Sequence, residues 1–164
     1  MAKANKISKT NAVRLLDQHS IAYTLHEYTV VDGQIDGVSV ANKIGQPVEM
    51  VFKTLVASSA PGRLYIYLIP VDKELDLKAS AKAAGEKKVD LIPVKDLLGL
   101  TGYVRGGCSP LGMKKLFPTF VDISAKNLEF IIVSAGKIGM QIQLNPADLI
   151  SCTKGEFVLI SRSL

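Results

Sequence analysis

Val51-Phe52-Lys53-Thr54-Leu55-Val56, continued by Ala57-Ser58 and answered after Ser59-Ala60-Pro61-Gly62 by Arg63 through Pro70, carries the strongest β pattern in the chain. It predicts two strands, 51–58 and 63–70, closed into a hairpin by the turn chemistry of Pro61-Gly62. Alternation puts Val51, Lys53 and Leu55 on one face and Phe52, Thr54 and Val56 on the other. Both faces are mainly apolar, so the Lys53 ammonium has no evident wet side. Two readings stay open. Lys53 is a gatekeeper that snorkels off a sheet edge and blocks aggregation, or it points into a pocket that uses its charge. In a pocket it would hold a phosphate, a carboxylate or a developing oxyanion.

Outward from the hairpin, short elements alternate. Thr10 caps a helix to about His19, Ile21–Tyr28 reads as a strand, Asp32-Gly33 marks a turn, and Val38–Ile44 fits a short helix stopped by Gly45. Beyond the hairpin, Leu77–Ala84 reads as a helix, Lys88–Leu91 as a short strand, and Pro93 opens a helix through Leu98. Ser109-Pro110 carries an N-cap and first-turn signal, predicting a helix through Lys115. Strands follow at 120–123, 129–134 and 140–144, a helix at 146–150, and a closing strand at 157–160. There is no internal repeat or linker, so 1–164 reads as one domain, with 1–9 a loose basic arm. Irregular strands interleaved with short helices predict an α/β (α+β) fold. Its mixed, partly barrel-like sheet is flanked by helices too short for a doubly wound architecture.

Composition bounds the function. The 164 residues are 48% hydrophobic and 21% charged, which is globular, and a 6% aromatic content without Trp leaves the core to aliphatic side chains. A net charge of +5 gives a mild bias toward anionic partners. The cysteines, Cys108 and Cys152, show no metal-ligand or disulfide-scaffold spacing, which fits a reducing cytosol. No apolar run is long enough to cross a bilayer and none follows the basic start as in a secretory leader, so a soluble cytoplasmic protein is expected.

The remaining candidates are the glycines of 106–107 and 136–139, which fit neither a Walker loop nor a dinucleotide fingerprint. They are tight turns, or they bring exposed backbone amides close to a ligand. Ser134 adds a hydroxyl beside the second group. Cys108 stands just before the predicted helix at 109, where a thiolate gains stability, but no base accompanies it; a small buried cysteine is the plainer reading. His19 and His26 stand in no catalytic elbow. The pairs Lys78/Lys82, Lys87-Lys88 and Lys114-Lys115 track a phosphate backbone or are solvated faces.

These stretches together resemble the YbaK/EbsC family of aminoacyl-tRNA deacylases, relatives of the editing domain inserted in bacterial prolyl-tRNA synthetases. The resemblance is carried by Phe52-Lys53-Thr54-Leu55, Leu75-Asp76-Leu77-Lys78, Lys87-Lys88-Val89, Thr101-Gly102-Tyr103, Gly106 through Gly112, and Val133-Ser134-Ala135-Gly136-Lys137, in the family's order. It implies hydrolysis of a misacylated tRNA ester, chiefly Cys-tRNA(Pro), with no metal or cofactor. Implied partners are the tRNA 3′ end and a prolyl-tRNA synthetase, with neither DNA nor membrane. It places the family's essential lysine on Lys53 and substrate contacts on Tyr28, Thr54, Gly106, Gly107, Ser134 and Gly136. The cysteinyl thiol then attacks its own ester, leaving the protein to position and polarise. The sequence departs from the pattern at Asp36-Gly37, where cysteine-specific members carry an aromatic residue, and at Gln141. Alanyl and seryl esters, and a noncatalytic module that binds tRNA ends or a synthetase, stay open as alternatives.

Overall fold

The hairpin expected at 51–70 is the centre of the fold. The computed structural model describes residues 9–164, so most of the arm expected at 1–9 lies outside the described residues. In chain order come α1 (Asn11–Gln18), β1 (Thr24–Glu27), α2 (Gly37–Lys43), β2 (Phe52–Ala60), β3 (Arg63–Pro70), β4 (Lys73–Leu75) and α3 (Leu77–Ala83). Then follow β5 (Asp90–Leu91), α4 (Val94–Thr101), β6 (Thr119–Asp122), β7 (Ile131–Ser134), β8 (Met140–Leu144), α5 (Pro146–Thr153), β9 (Glu156–Val158) and β10 (Ser161–Ser163).

Strands β5-β2-β3-β6-β9 make a mixed sheet, with β3/β6 and β6/β9 parallel and the other pairs antiparallel. Strands β1-β8-β7 form an antiparallel sheet, and β4 pairs with β10. An isolated parallel bridge, Val51 to Ile132, ties the start of β2 to β7. That bridge joins the five-stranded sheet's hairpin to the three-stranded sheet. The fold is the mixed sheet flanked by short helices that the sequence predicts.

Alternation along the hairpin separates two cores. Phe52, Val56, Leu64, Ile66 and Leu68 face a cluster shared with α1, β7, β8 and α5, through Leu16, Val133, Ile142 and Leu149. Ala57, Tyr65, Tyr67 and Ile69 face a second cluster with Ala81 of α3, Phe120 and Ile160. The register opposes Lys53 to Ile69 and Leu55 to Tyr67, so Lys53 belongs to the second face at its open end. Burial of these aliphatic chains, about 1.5–3 kcal/mol each, is what fixes the register.

Among the described residues, four of the five α-helices begin on a side-chain cap. Thr10 accepts from the Val13 N–H at 3.2 Å, Asp36 from Ser39 at 3.1 Å, Asp76 from Ala79 at 2.9 Å and Asn145 from Ala147 at 2.8 Å.

Three expectations need correction. The helix at 109–115 does not form: Ser109 accepts from the Leu111 N–H, but Gly112 then turns to φ +73°, which ends any helical run. Tertiary contacts hold the segment in a series of bends, with Tyr103 donating to the Leu111 carbonyl at 2.7 Å and Lys114 N–H to Thr101 at 3.1 Å. The closing strand at 157–160 is instead two strands. Buried Asp122 accepts from both Ile160 and Ser161 N–H groups, at 3.1 and 3.0 Å, and bends the chain between β9 and β10. Strands β4 and β10 were not predicted; three residues are too few to show a period, and each strand exists only through the other.

Candidate active site

Strand β2 is supported unevenly, and this creates the site. On its outer side β5 pairs with Ala57 and Ser58 alone, and the bridge to β7 sits at Val51. Between these attachments Lys53 to Leu55 have a strand partner only on the β3 side. A cleft of about 660 Å³ opens against this stretch. Its walls are the start of α2 at Asp36 and Gly37, Val71 after β3, Arg105, Gly106 and Cys108, and the β7/β8 pair at Ser134 and Gln141. Lys53 is therefore both at an uncovered strand edge and at a pocket wall.

Lys53 is half-buried and takes no carboxylate partner among the ion pairs of the described residues. Burial pushes its ammonium below the ordinary lysine range, and the carboxylates of Asp72 and Glu74 pull part of the way back. Glu74 is held elsewhere, 3.2 Å from Arg162. A partly desolvated cation without a contact partner exerts a stronger field on a ligand than a solvated one.

Thr54, on the opposite face, brings its Oγ1 into a buried position with no hydrogen-bond partner. An orphaned hydroxyl on a cleft wall is a ready ligand contact. Ser134 is 8% exposed, and its Oγ accepts the Gly136 N–H at 3.2 Å, which leaves its own hydrogen free to donate. Gln141 lies opposite Ser134 in the register. Gly106 takes φ +85°, and no described backbone acceptor receives its N–H.

Of the residues the resemblance singles out, Lys53, Thr54, Gly106 and Ser134 are brought together on the cleft wall. Tyr28, Gly107 and Gly136 lie off it. The Tyr28 N–H donates to Gly139, its hydroxyl is buried without a partner, and Lys43 Nζ stands 5.9 Å from its ring centre. Gly107 is a packing position: an added Cβ would stand 2.9 Å from the Ile138 nitrogen and 3.0 Å from Lys137 backbone. The two glycine segments expected to face a ligand thus also press on each other. Gly136 faces the Tyr103 ring, 2.8 Å from an added Cβ, and its N–H is already given to Ser134.

Cys108 lines the cleft, but burial pushes its thiol up to about 12. The 109–115 helix that would favour a thiolate is absent, and a hydrogen bond from Thr101 offsets only part of the burial. Sequence reasoning missed Arg105, Ile35 and Val71 as cleft residues. Arg105 had a faint signal in its place beside Gly106; the other two are apolar residues with no local mark. Among the described residues no group of three or more His, Cys, Asp or Glu is gathered to hold a metal. No helix among them is long and apolar enough to cross a membrane.

A mixed sheet whose open edge presents a lysine, two hydroxyls and a glycine turn to one cleft can hold an anionic or ester-bearing ligand. Residues 36–152 match the aminoacyl-tRNA editing domain family, and the chain belongs to that family. A protein of Enterococcus faecalis, provisionally named the Cys-tRNA(Pro)/Cys-tRNA(Cys) deacylase EbsC, is 45% identical over 161 residues, 98% of each chain. Two solved structures share the fold at low identity. A hypothetical protein, APE2540, has a TM-score of 0.83 at 21% identity, over 93% of this chain and 100% of the other. A protein provisionally described as a trans-editing enzyme for prolyl tRNA synthetase has 0.81 at 18%, over 96% and 100%.

Proposed function

We propose that the chain is a trans-acting deacylase, a single editing domain over 1–164, that hydrolyses the ester of misacylated tRNA, foremost Cys-tRNA(Pro), in the cytoplasm. The observation that carries this is Lys53, half-buried and without an ion-pair partner among the described residues, on one cleft wall with Thr54, Gly106 and Ser134. The 45% identity to the Enterococcus protein supports the reaction class.

In this reading the protein supplies no nucleophile. The cysteinyl thiol attacks its own ester carbonyl, the carbon–oxygen bond to the terminal ribose breaks, and the thiol proton leaves with the ribose hydroxyl. Water then opens the resulting thiolactone to free cysteine. Lys53 anchors the terminal phosphate or the carbonyl region, and the Gly106 N–H meets the developing oxyanion. Thr54 and Ser134 hydrogen-bond the ester or the ribose. Tyr28, Gly107 and Gly136 act at one remove, by holding the walls. No cofactor enters the reaction. A prolyl-tRNA synthetase that delivers the tRNA would supply the specificity a single cleft lacks.

Asp36 and Gln141 on the cleft wall favour a second reading for the side chain admitted, an alanyl or seryl ester. A pocket discriminates a methylene or hydroxyl weakly, by about 1–3 kcal/mol. Deacylation of cysteinyl-, alanyl- and seryl-tRNA(Pro) by the purified protein tests both readings. Preference for the cysteinyl ester is expected. Equal rates on thiol-free esters would remove the self-attack mechanism, and binding without turnover of any ester would leave a noncatalytic module.

A further inference from the structure

The proposed chemistry gives a role to Lys53 but none to the carboxylate of the cleft. Three charged side chains line the cavity: Lys53, Arg105 and Asp36. Cations suit the phosphate and ester oxygens of a tRNA end. An aminoacyl ester brings one group of the opposite sign, the α-ammonium, which needs an acceptor.

Asp36 is fixed for such a role. Its two oxygens accept from the Ser39 N–H and hydroxyl, at 3.1 and 2.6 Å, which sets the rotamer and leaves further lone pairs free. Those bonds also hold the carboxyl below the usual carboxylate range, so it is ionised at neutral pH. Its place on the wall depends on Gly37. A Cβ there would stand 2.3 and 2.5 Å from Val71 Cγ1 and Cβ, so only glycine lets the start of α2 press against the corner after β3. The sequence marked Asp36-Gly37 as a departure from the aromatic pattern, and close packing accounts for its second member.

We propose that Asp36 is the acceptor for the α-ammonium of the aminoacyl group, a carboxylate on the wall of the cleft that Lys53 and Arg105 also line. The inference rests on the deacylase reading and names its substrate more narrowly: an ester with a free amine. Esters that are N-acylated or lack the amine are poor ligands. The charge pattern also orients the ester, with the amine toward α2 and the phosphate toward the cations.

The test uses two non-hydrolysable probes, an amide-linked cysteinyl-adenosine and its desamino counterpart, with affinities measured by calorimetry at pH 6.5. Wild-type protein should favour the amine-bearing probe by about tenfold, as expected for an ion-paired hydrogen bond at a partly wet site. Asp36→Asn keeps the helix cap, since Asn caps as well as Asp, and removes only the charge. It should bring the preference close to one and leave the desamino probe's affinity unchanged. An undiminished preference in Asp36→Asn, or none in the wild type, overturns the assignment and leaves the deacylase reading standing. Wild-type protein that binds neither probe removes both.

Discussion

Lys53→Met separates the two roles open to this lysine, because only the pocket role predicts that activity falls while stability does not. Met keeps most of the apolar stem and removes the charge. The folded protein depresses the Lys53 pKa, chiefly through desolvation, so between the folded and unfolded values the unfolded chain binds more protons. Stability therefore rises as pH rises through that window. Below the folded value the charged lysine is a standing penalty, and Met relieves it.

Activity should move the other way. Loss of one preorganised electrostatic contact to the reacting group costs about 10²–10³ in kcat, or about 2.7–4 kcal/mol. The expected result is a variant with a melting temperature at or above wild type at pH 7 and deacylation down by at least two orders of magnitude. The variant should also lose the wild type's stability gain at alkaline pH. Calorimetric unfolding from pH 7 to 10, with single-turnover deacylation of Cys-tRNA(Pro), reads both. A variant with full activity, or one whose activity falls only in step with its melting temperature, would refute the pocket role and restore the gatekeeper.

Other consequences follow from the same geometry. Gly107→Ala forces a Cβ to within 2.9 Å of backbone that cannot rotate away, so denaturant unfolding should show a loss of about 1–3 kcal/mol; an unchanged midpoint would contradict the packing role. With Cys152→Ser as background, alkylation of Cys108 by iodoacetamide should keep rising about tenfold per pH unit from 8 to 10, because its thiol sits near 12. A plateau near pH 8 would mean an activated thiolate. Glu86 accepts from the Tyr65 hydroxyl and from Ser59 at 2.9 Å, and these bonds lower its pKa in the folded state. Its contribution is complete above the unfolded glutamate value and fades as pH falls through the folded one, so Glu86→Gln should flatten the acid limb of the stability profile. A limb of unchanged slope would assign that limb to other carboxylates.

The hairpin and the capped helices were legible because their signals are local. Pro61-Gly62 flanked by alternating apolar residues, and Thr10 or Asn145 before an apolar run, act within a few residues of chain. The same local logic failed at Ser109-Pro110, where the start signal is genuine and the continuation is not. An added Cβ at Gly112 would stand 2.7 Å from the Asn11 backbone, so α1 and this segment approach too closely for a helix to pass. The pair β4/β10 was out of reach because its partners are separated by about half of the chain.

The site divides in the same way. By itself the sequence determined that Lys53 sits in a strand with two apolar faces, that Thr54 faces the other way, and that glycines and Ser134 gather in two turns. Alternation and the steric freedom of glycine suffice for that. Only the tertiary structure decided that Lys53, Thr54, Gly106 and Ser134 share a cleft, while Gly107 and Gly136 serve mainly as contact points between its walls. The physical reason is the uneven support of β2. Whether a strand edge is covered or left open depends on where β5 and β7 dock, and distant apolar burial, not the hairpin's own residues, sets that.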